Sequence, residues 1–234
     1  MRRAAGALFW GASLLAQDTT GMLARFDNEH GLAAKERLLL AITKDPGAGP
    51  ALLRLAKSTA NPDTRWMAMR GMATLHYTAA ASFLETSLKS RDVFVRANAA
   101  RALGDLRVRK AAPALLAMFA AEEEPPAIEQ ASLALRMLEV RAAAPLLREK
   151  IPRFTGQTRA WLIQALGALG TRADVPLVAG YLEERVTSGA ATEAIQSLTG
   201  LYFGPRPVGL SSDPTPDTLA AQAWWKAHKD QWPH

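Results

Sequence analysis

Apolar residues recur along this chain at steps of three and four, and nowhere does a long stretch alternate strictly between apolar and polar. That periodicity predicts helices and no sheet. The clearest stretch is Ser90 to Ala121. In it Val95, Ala99, Leu103 and Leu106 fall on one helical face, while Arg96 and Arg101 fall off it. Asp92 stands where a carboxylate accepts from the free N–H groups of a first turn. A turn over 106–111 follows, with Pro113 placed in the first turn of a second helix, where its missing N–H costs nothing. Leu115, Leu116 and Phe119 supply the apolar side of that second helix. Two helices this short cannot bury their faces alone, so neighbouring copies must stack on them.

The copies are present. Aligned on Arg96, the same pattern returns at Arg65, 31 residues back, and at Ile128 and Arg159, 32 and 31 residues further on. Independent columns agree: Ala68, Ala99, Ala131 and Leu162; Met72, Leu103, Leu135 and Leu166; and, in the second helices, Ser82, Pro113, Pro145 and Pro176. Four residues before each anchor stand Asn61, Asp92, Glu124 and Thr155; three are good N-caps, while Glu124 is a poor one but precedes Pro125-Pro126, which suit a helix start. A fifth first helix follows Thr187, with Ala191, Ala194, Ile195 and Leu198. Upstream, 17–31 reads as a loose polar lead-in with one helical turn at Met22 to Phe26. Helices over 33–43 and 51–57, joined by the Pro- and Gly-rich turn 45–50, read as a degenerate first repeat or a cap. Downstream, 204–216 is rich in Pro, Gly and Ser, and a last helix over 217–230 carries Trp224 and Trp225, with Trp232 just beyond.

The run Asp92-x-x-Val95-Arg96-x-x-Ala99-Ala100-x-Ala102-Leu103-Gly104, followed by Ala112-Pro113-x-Leu115, resembles a HEAT repeat. It resembles in particular the short HEAT-like repeat first named for the phycobilisome lyases. The resemblance implies an all-α fold, an α-solenoid in which helical hairpins wind into a right-handed superhelix. It implies no activity, because the repeat is shared by proteins of unrelated function. Leu198-Thr199-Gly200, Phe203-Gly204 and Trp224-Trp225-Lys226-x-His228-Lys229 resemble the closing segment of many bacterial HEAT-repeat proteins, although Ala220 and Ala221 stand where those often have a further tryptophan. That likeness implies a capping helix whose indoles cover the last repeat. The expected division is a leader at 1–16, a lead-in and degenerate repeat at 17–60, HEAT-like repeats at 61–203, and a loop with a Trp-containing cap at 204–234.

Met1 to Ala16 has a basic start at Arg2 and Arg3, an apolar run too short to span a bilayer, and a small residue before Gln17-Asp18. This is the layout of a secretory signal peptide cut near Ala16, with Ser13 as a second place for the cut. The expectation is a periplasmic or secreted protein with no membrane span in the mature chain. The alternative is a cytoplasmic protein whose first helix is this segment. The full chain carries a formal charge of +6; loss of Arg2 and Arg3 leaves 26 − 22 = +4. The absence of cysteine excludes disulfides, thiol nucleophiles and cysteine-ligated metals.

Candidate chemistry is sparse. The four histidines, His30, His76, His228 and His234, have no metal-ligand spacing, and the chain has no HExxH, no G-x-S-x-G and no phosphate-cradling glycine loop. Glu122 to Glu124 reads as a solvated linker rather than an acid–base pair. No catalytic residue, metal or cofactor is therefore assigned. Arg109, Arg141 and Arg172 recur 32 and 31 residues apart in the turns between paired helices, where stacking would bring them about 10 Å apart on one edge. Such an edge suits an acidic protein tail, a polysaccharide or a nucleic-acid backbone; the plainer reading is basic residues shielding helix C-termini. Phe83, Phe119 and Tyr181, with Met118, are placed by their spacing on the second helices, which line the concave side of such folds. Trp66 and Trp161 read as packing between repeats or as exposed anchors. The reading is a non-enzymatic module that binds another protein, an acidic one being suited to the arginine edge. Its alternatives are a nucleic-acid-binding protein or DNA glycosylase of HEAT-like build, for which no catalytic aspartate can be mapped, and a bilin lyase-like protein, which rests on the repeat's name alone.

Overall fold

A computed structural model describes residues 19–205 and 214–232. The leader segment 1–16 lies outside the described residues, as does most of the Pro/Gly-rich loop. The chain is all α, of the α-solenoid class, with no strand among the described residues. It divides into two compact units within α7 (Ala112–Ala121), between Leu115 and Leu116.

The first unit contains a helix α1 over 19–28, α2 (Leu32–Ile42), α3 (Gly49–Ser58), α4 (Pro62–Thr74), α5 (Ala81–Ser87) and α6 (Val93–Asp105). First helices pack on first helices, α2 on α4 and α4 on α6, while α3 packs on α4 and α5 on α6. The predicted faces are the buried ones: Met67, Ala68, Met72, Val95, Ala99 and Leu103 have almost no exposed surface. The lead-in differs from expectation. It is helical throughout 19–28, and Phe26 is fully buried, because one large apolar side chain meeting α2 is enough to order an otherwise polar stretch.

The second unit contains the end of α7, α8 (Pro125–Met137), α9 (Ala144–Lys150), α10 (Gly156–Leu169), α11 (Val175–Ala179), α12 (Ser188–Thr199) and α13 (Pro216–His228). Here α10 packs against α8 and α12, α9 against α10, α11 against α12, and α12 against α13. Gly167 sets how closely α10 and α12 approach: a Cβ there would lie 2.6 Å from the Ala194 Cα.

Where the chain passes from a second helix into α4, α6 or α10, carbonyls of the helix end or of the link accept from an arginine at the fourth position of the following first helix. Arg65 donates to the Ala56 and Thr59 carbonyls. Arg96 donates to those of Ser90 and Arg91, at 2.9 and 3.1 Å. Arg159 donates to those of Ile151 and Phe154, at 3.2 and 2.7 Å. Lys35 occupies the same position in α2, and its ammonium donates to the Phe26 carbonyl at 2.6 Å. It also bonds the Thr64 hydroxyl and lies over the Phe26 ring. The repeat therefore begins one helix earlier than the arginine column indicates, with α1 in the place of a second helix.

Three first helices end alike. His76, Arg107 and Glu139 take the left-handed conformation, with φ of 50°, 54° and 59°. The next N–H bonds the carbonyl five residues back: Tyr77 to Met72, Val108 to Leu103, and Val140 to Leu135. The caps are less uniform than expected. Asn61 accepts from the Asp63 and Thr64 N–H groups, and Asp92 from that of Val95. Glu124 and Thr155 make no side-chain cap. The chain enters α10 through Gly156 at φ 59°, and the Thr155 hydroxyl stays off the first turn. Thr187 turns its hydroxyl back to the Tyr181 carbonyl, 3.1 Å away, instead of forward onto α12.

Candidate interaction surface

The three arginines of the turn column each open a 3-10 turn: Arg109–Ala111, Arg141–Ala143 and Arg172–Asp174. All three are exposed. Arg109 and Arg141 follow the left-handed residue just described, through Val108 and Val140. The turn of Arg172 is built differently. Asp174, 3 % exposed, accepts from the Thr171 N–H at 2.8 Å and from the Arg148 guanidinium, whose Nη2 lies 3.1 Å from Oδ2. Burial would push the Asp174 pKa up, but Arg148 and the Thr171 N–H outweigh it and hold the carboxyl below its ordinary value. With its turn fixed in this way, Arg172 lays its guanidinium over the Trp232 ring, 5.1 Å from the centroid.

The apolar candidates separate. Phe83 lies half-buried on α5. Tyr181 is also half-buried, but α11 stops at Ala179 and leaves it in the following turn rather than on a helix. The Arg159 guanidinium covers its ring at 4.7 Å and pairs with both Glu184 oxygens at 2.7 Å. Phe119 is 0 % exposed and faces the Lys150 ammonium, 5.6 Å from its ring centroid, so it has no surface to offer a partner. Its spacing gave the right helix and the wrong side. Met118 is also buried. Glu122, read as solvated linker, is buried as well; its carboxylate accepts from the Glu123 and Glu124 N–H groups. Trp66 and Trp161 are half-buried, and the Trp66 indole N–H donates to Asp63 at 3.0 Å.

Sequence reasoning did not anticipate the groove formed where α13 lies beside the end of α11. One wall is 179–183; the other is the face of α13 running from Leu219 through Ala223 to Lys226 and Lys229. Its volume is 640 Å³. Gln222 ties the walls together by donating to the Leu182 carbonyl at 2.8 Å. Behind it the aromatic residues pack on one another. Trp224 meets Phe203 at 5.7 Å, Trp225 at 6.1 Å and Trp232 at 5.6 Å, and His228 stacks on it at 5.2 Å. The His228 Nδ1 donates to the Trp224 carbonyl at 2.7 Å. The only early signal for this groove was the shortness of the apolar run after Pro176, which leaves α11 too small to cover α13.

Among the described residues no three histidine, aspartate or glutamate side chains are placed to share a metal ion, and no helix is long and apolar enough to cross a membrane. No curated protein matches the chain. Among solved structures it is similar to the complex of CpcE and CpcF of phycocyanin lyase from Nostoc sp. PCC7120, with 18% identity and a TM-score of 0.46, covering 87% of this chain and 92% of that one. Residues 49–136 match the family model for HEAT repeats. That match falls on columns that stack in the structure, so residues 49–136 of this chain are HEAT repeats.

Proposed function

We propose that this chain is a non-enzymatic scaffold that binds another protein, exported to the bacterial envelope by the leader at 1–16. The observation that supports the reading is the use the repeats make of their residues. In the hairpins of 49–136 the recurring apolar columns are consumed in stacking, and the turns and outer faces are what remain to differ between repeats. Repeats of this kind supply surface rather than a reaction centre. The turns opened by Arg109, Arg141 and Arg172 each suit an acidic stretch of a partner, and the half-buried Phe83 and Tyr181 each keep some apolar surface.

The test is expression of the full chain with its own leader, followed by intact mass, cell fractionation and crosslinking in living cells. The reading expects loss of the first 16 residues or so, recovery outside the cytoplasm, and protein crosslinks that weaken in an Arg109→Glu/Arg141→Glu variant. An uncut cytoplasmic product that binds duplex DNA with a steep salt dependence would overturn it in favour of a nucleic-acid-binding protein.

A further inference from the structure

The groove beside α13 carries the proposal further and rests on the scaffold reading. We infer that it receives an acidic amphipathic segment of the partner protein, with apolar side chains seated on Leu219 and Ala223 and a carboxylate held by Lys226 and Lys229.

Four observations converge on this ligand. The groove is preformed: the Gln222–Leu182 bond fixes the spacing of its walls, and Ala221, fully buried, holds the opposite face of α13 in the fold. A partner therefore meets a surface whose ordering cost is already met by folding. The groove is also apolar where it should be covered. Leu219 is 51 % exposed in its wall, and the half-buried Trp225 adjoins it.

The charges are the third observation. In this unit Arg148, Arg153 and Arg159 are each held by a carboxylate, from Asp174, Glu123 and Glu184 respectively. Lys226 and Lys229 are exposed and make no ion pair among the described residues. The fourth is polarity. The apolar wall lies toward the N-terminal half of α13 and both ammonium groups toward its C-terminal half, with Glu183 on the facing wall. A ligand with apolar side chains at one end and its acid at the other matches that arrangement. A nucleic-acid backbone, which repeats its charge along its whole length, would meet Glu183 as well.

The test uses the full chain and a fluorescein-labelled synthetic peptide, helix-forming, with leucines on one face and glutamates on the other. A second peptide carries lysines in place of the glutamates. Anisotropy titrations compare wild type with Leu219→Ser and with Lys226→Glu/Lys229→Glu, whose thermal melts verify folding. The inference expects saturable binding of the acidic peptide, weakened about tenfold or more in each variant, and little binding of the lysine peptide. Equal affinity for the two peptides, or an acidic-peptide affinity unchanged by both variants, would overturn it. If partner crosslinks from living cells persist in Leu219→Ser, the groove assignment fails while the scaffold reading stands.

Discussion

The ends of α5 and α7 solve one problem with different residues. At α5 the solution is local: Arg96, four positions into the next helix, donates to the Ser90 and Arg91 carbonyls from a half-buried position. At α7 the anchor column holds Ile128, which has no donor. There the bond comes from Lys150 at the end of α9, whose ammonium donates to the Glu122 carbonyl at 2.8 Å, and the Glu122 carboxylate takes two further N–H groups of the linker. After both helices a cation takes carbonyls of the link to the next helix, and its place in the sequence differs. The two solutions are not equal in cost. Lys150 is 1 % exposed, and burial pushes its pKa below the ordinary lysine value, whereas a half-buried guanidinium keeps part of its hydration.

This contrast makes Lys150→Ala more damaging than Arg96→Ala. It removes the ammonium that donates to the Glu122 carbonyl and opens space beside Phe119, so the account expects a loss of about 3 kcal/mol in chemical denaturation. Arg96→Ala removes bonds to carbonyls that water can reach and should cost nearer 1 kcal/mol. Equal losses would break the distinction between buried and half-buried clamps.

The pH dependence is smaller and has a definite sign. For a lysine whose folded-state pKa is lowered, the unfolded chain binds more protons between the two values, so stability rises with pH through that window. Below the folded-state value both states are charged and the burial penalty is fully present. Denaturation midpoints should therefore rise as pH climbs toward the ordinary lysine value, with Lys35 and Lys150 both contributing. The rise should shrink in Lys150→Met and be unaffected by Arg96→Ala. The smallest effect concerns caps. Asn61→Ala should lose about 1 kcal/mol, and Glu124→Asp, which gives α8 the cap that Asn61 and Asp92 already supply, should gain a few tenths to about 1 kcal/mol.

These clamps also mark where the sequence was legible. The apolar columns around Met72, Leu103, Leu135 and Leu166 could be read directly, because stacking repeats need the same faces at the same spacing. Lys35 escaped notice because it replaces arginine in the anchor column and its helix follows a polar stretch with a single large buried side chain, Phe26. Lys150 was invisible to periodicity, since it acts on a carbonyl 28 residues upstream from outside its column. Phe119 lay on the helix expected of it, but its face of that helix is buried, with the Lys150 ammonium beside its ring. The arginine turns were placed correctly in the chain, though spacing could not show that Arg172 is laid over Trp232 or that its turn rests on buried Asp174. The groove depends on how α13 docks through Gln222, and no local pattern encodes that contact.

Crosslinking from single positions in living cells tests the central claim most directly. A photoreactive side chain is placed in turn at Leu219 in the groove, at Arg109 in an exposed turn and at Phe119 in the core. A protein-binding scaffold predicts discrete protein adducts from Leu219 and Arg109 and none from Phe119. Nucleic-acid adducts in their place, or no protein adduct from either exposed position, would contradict it.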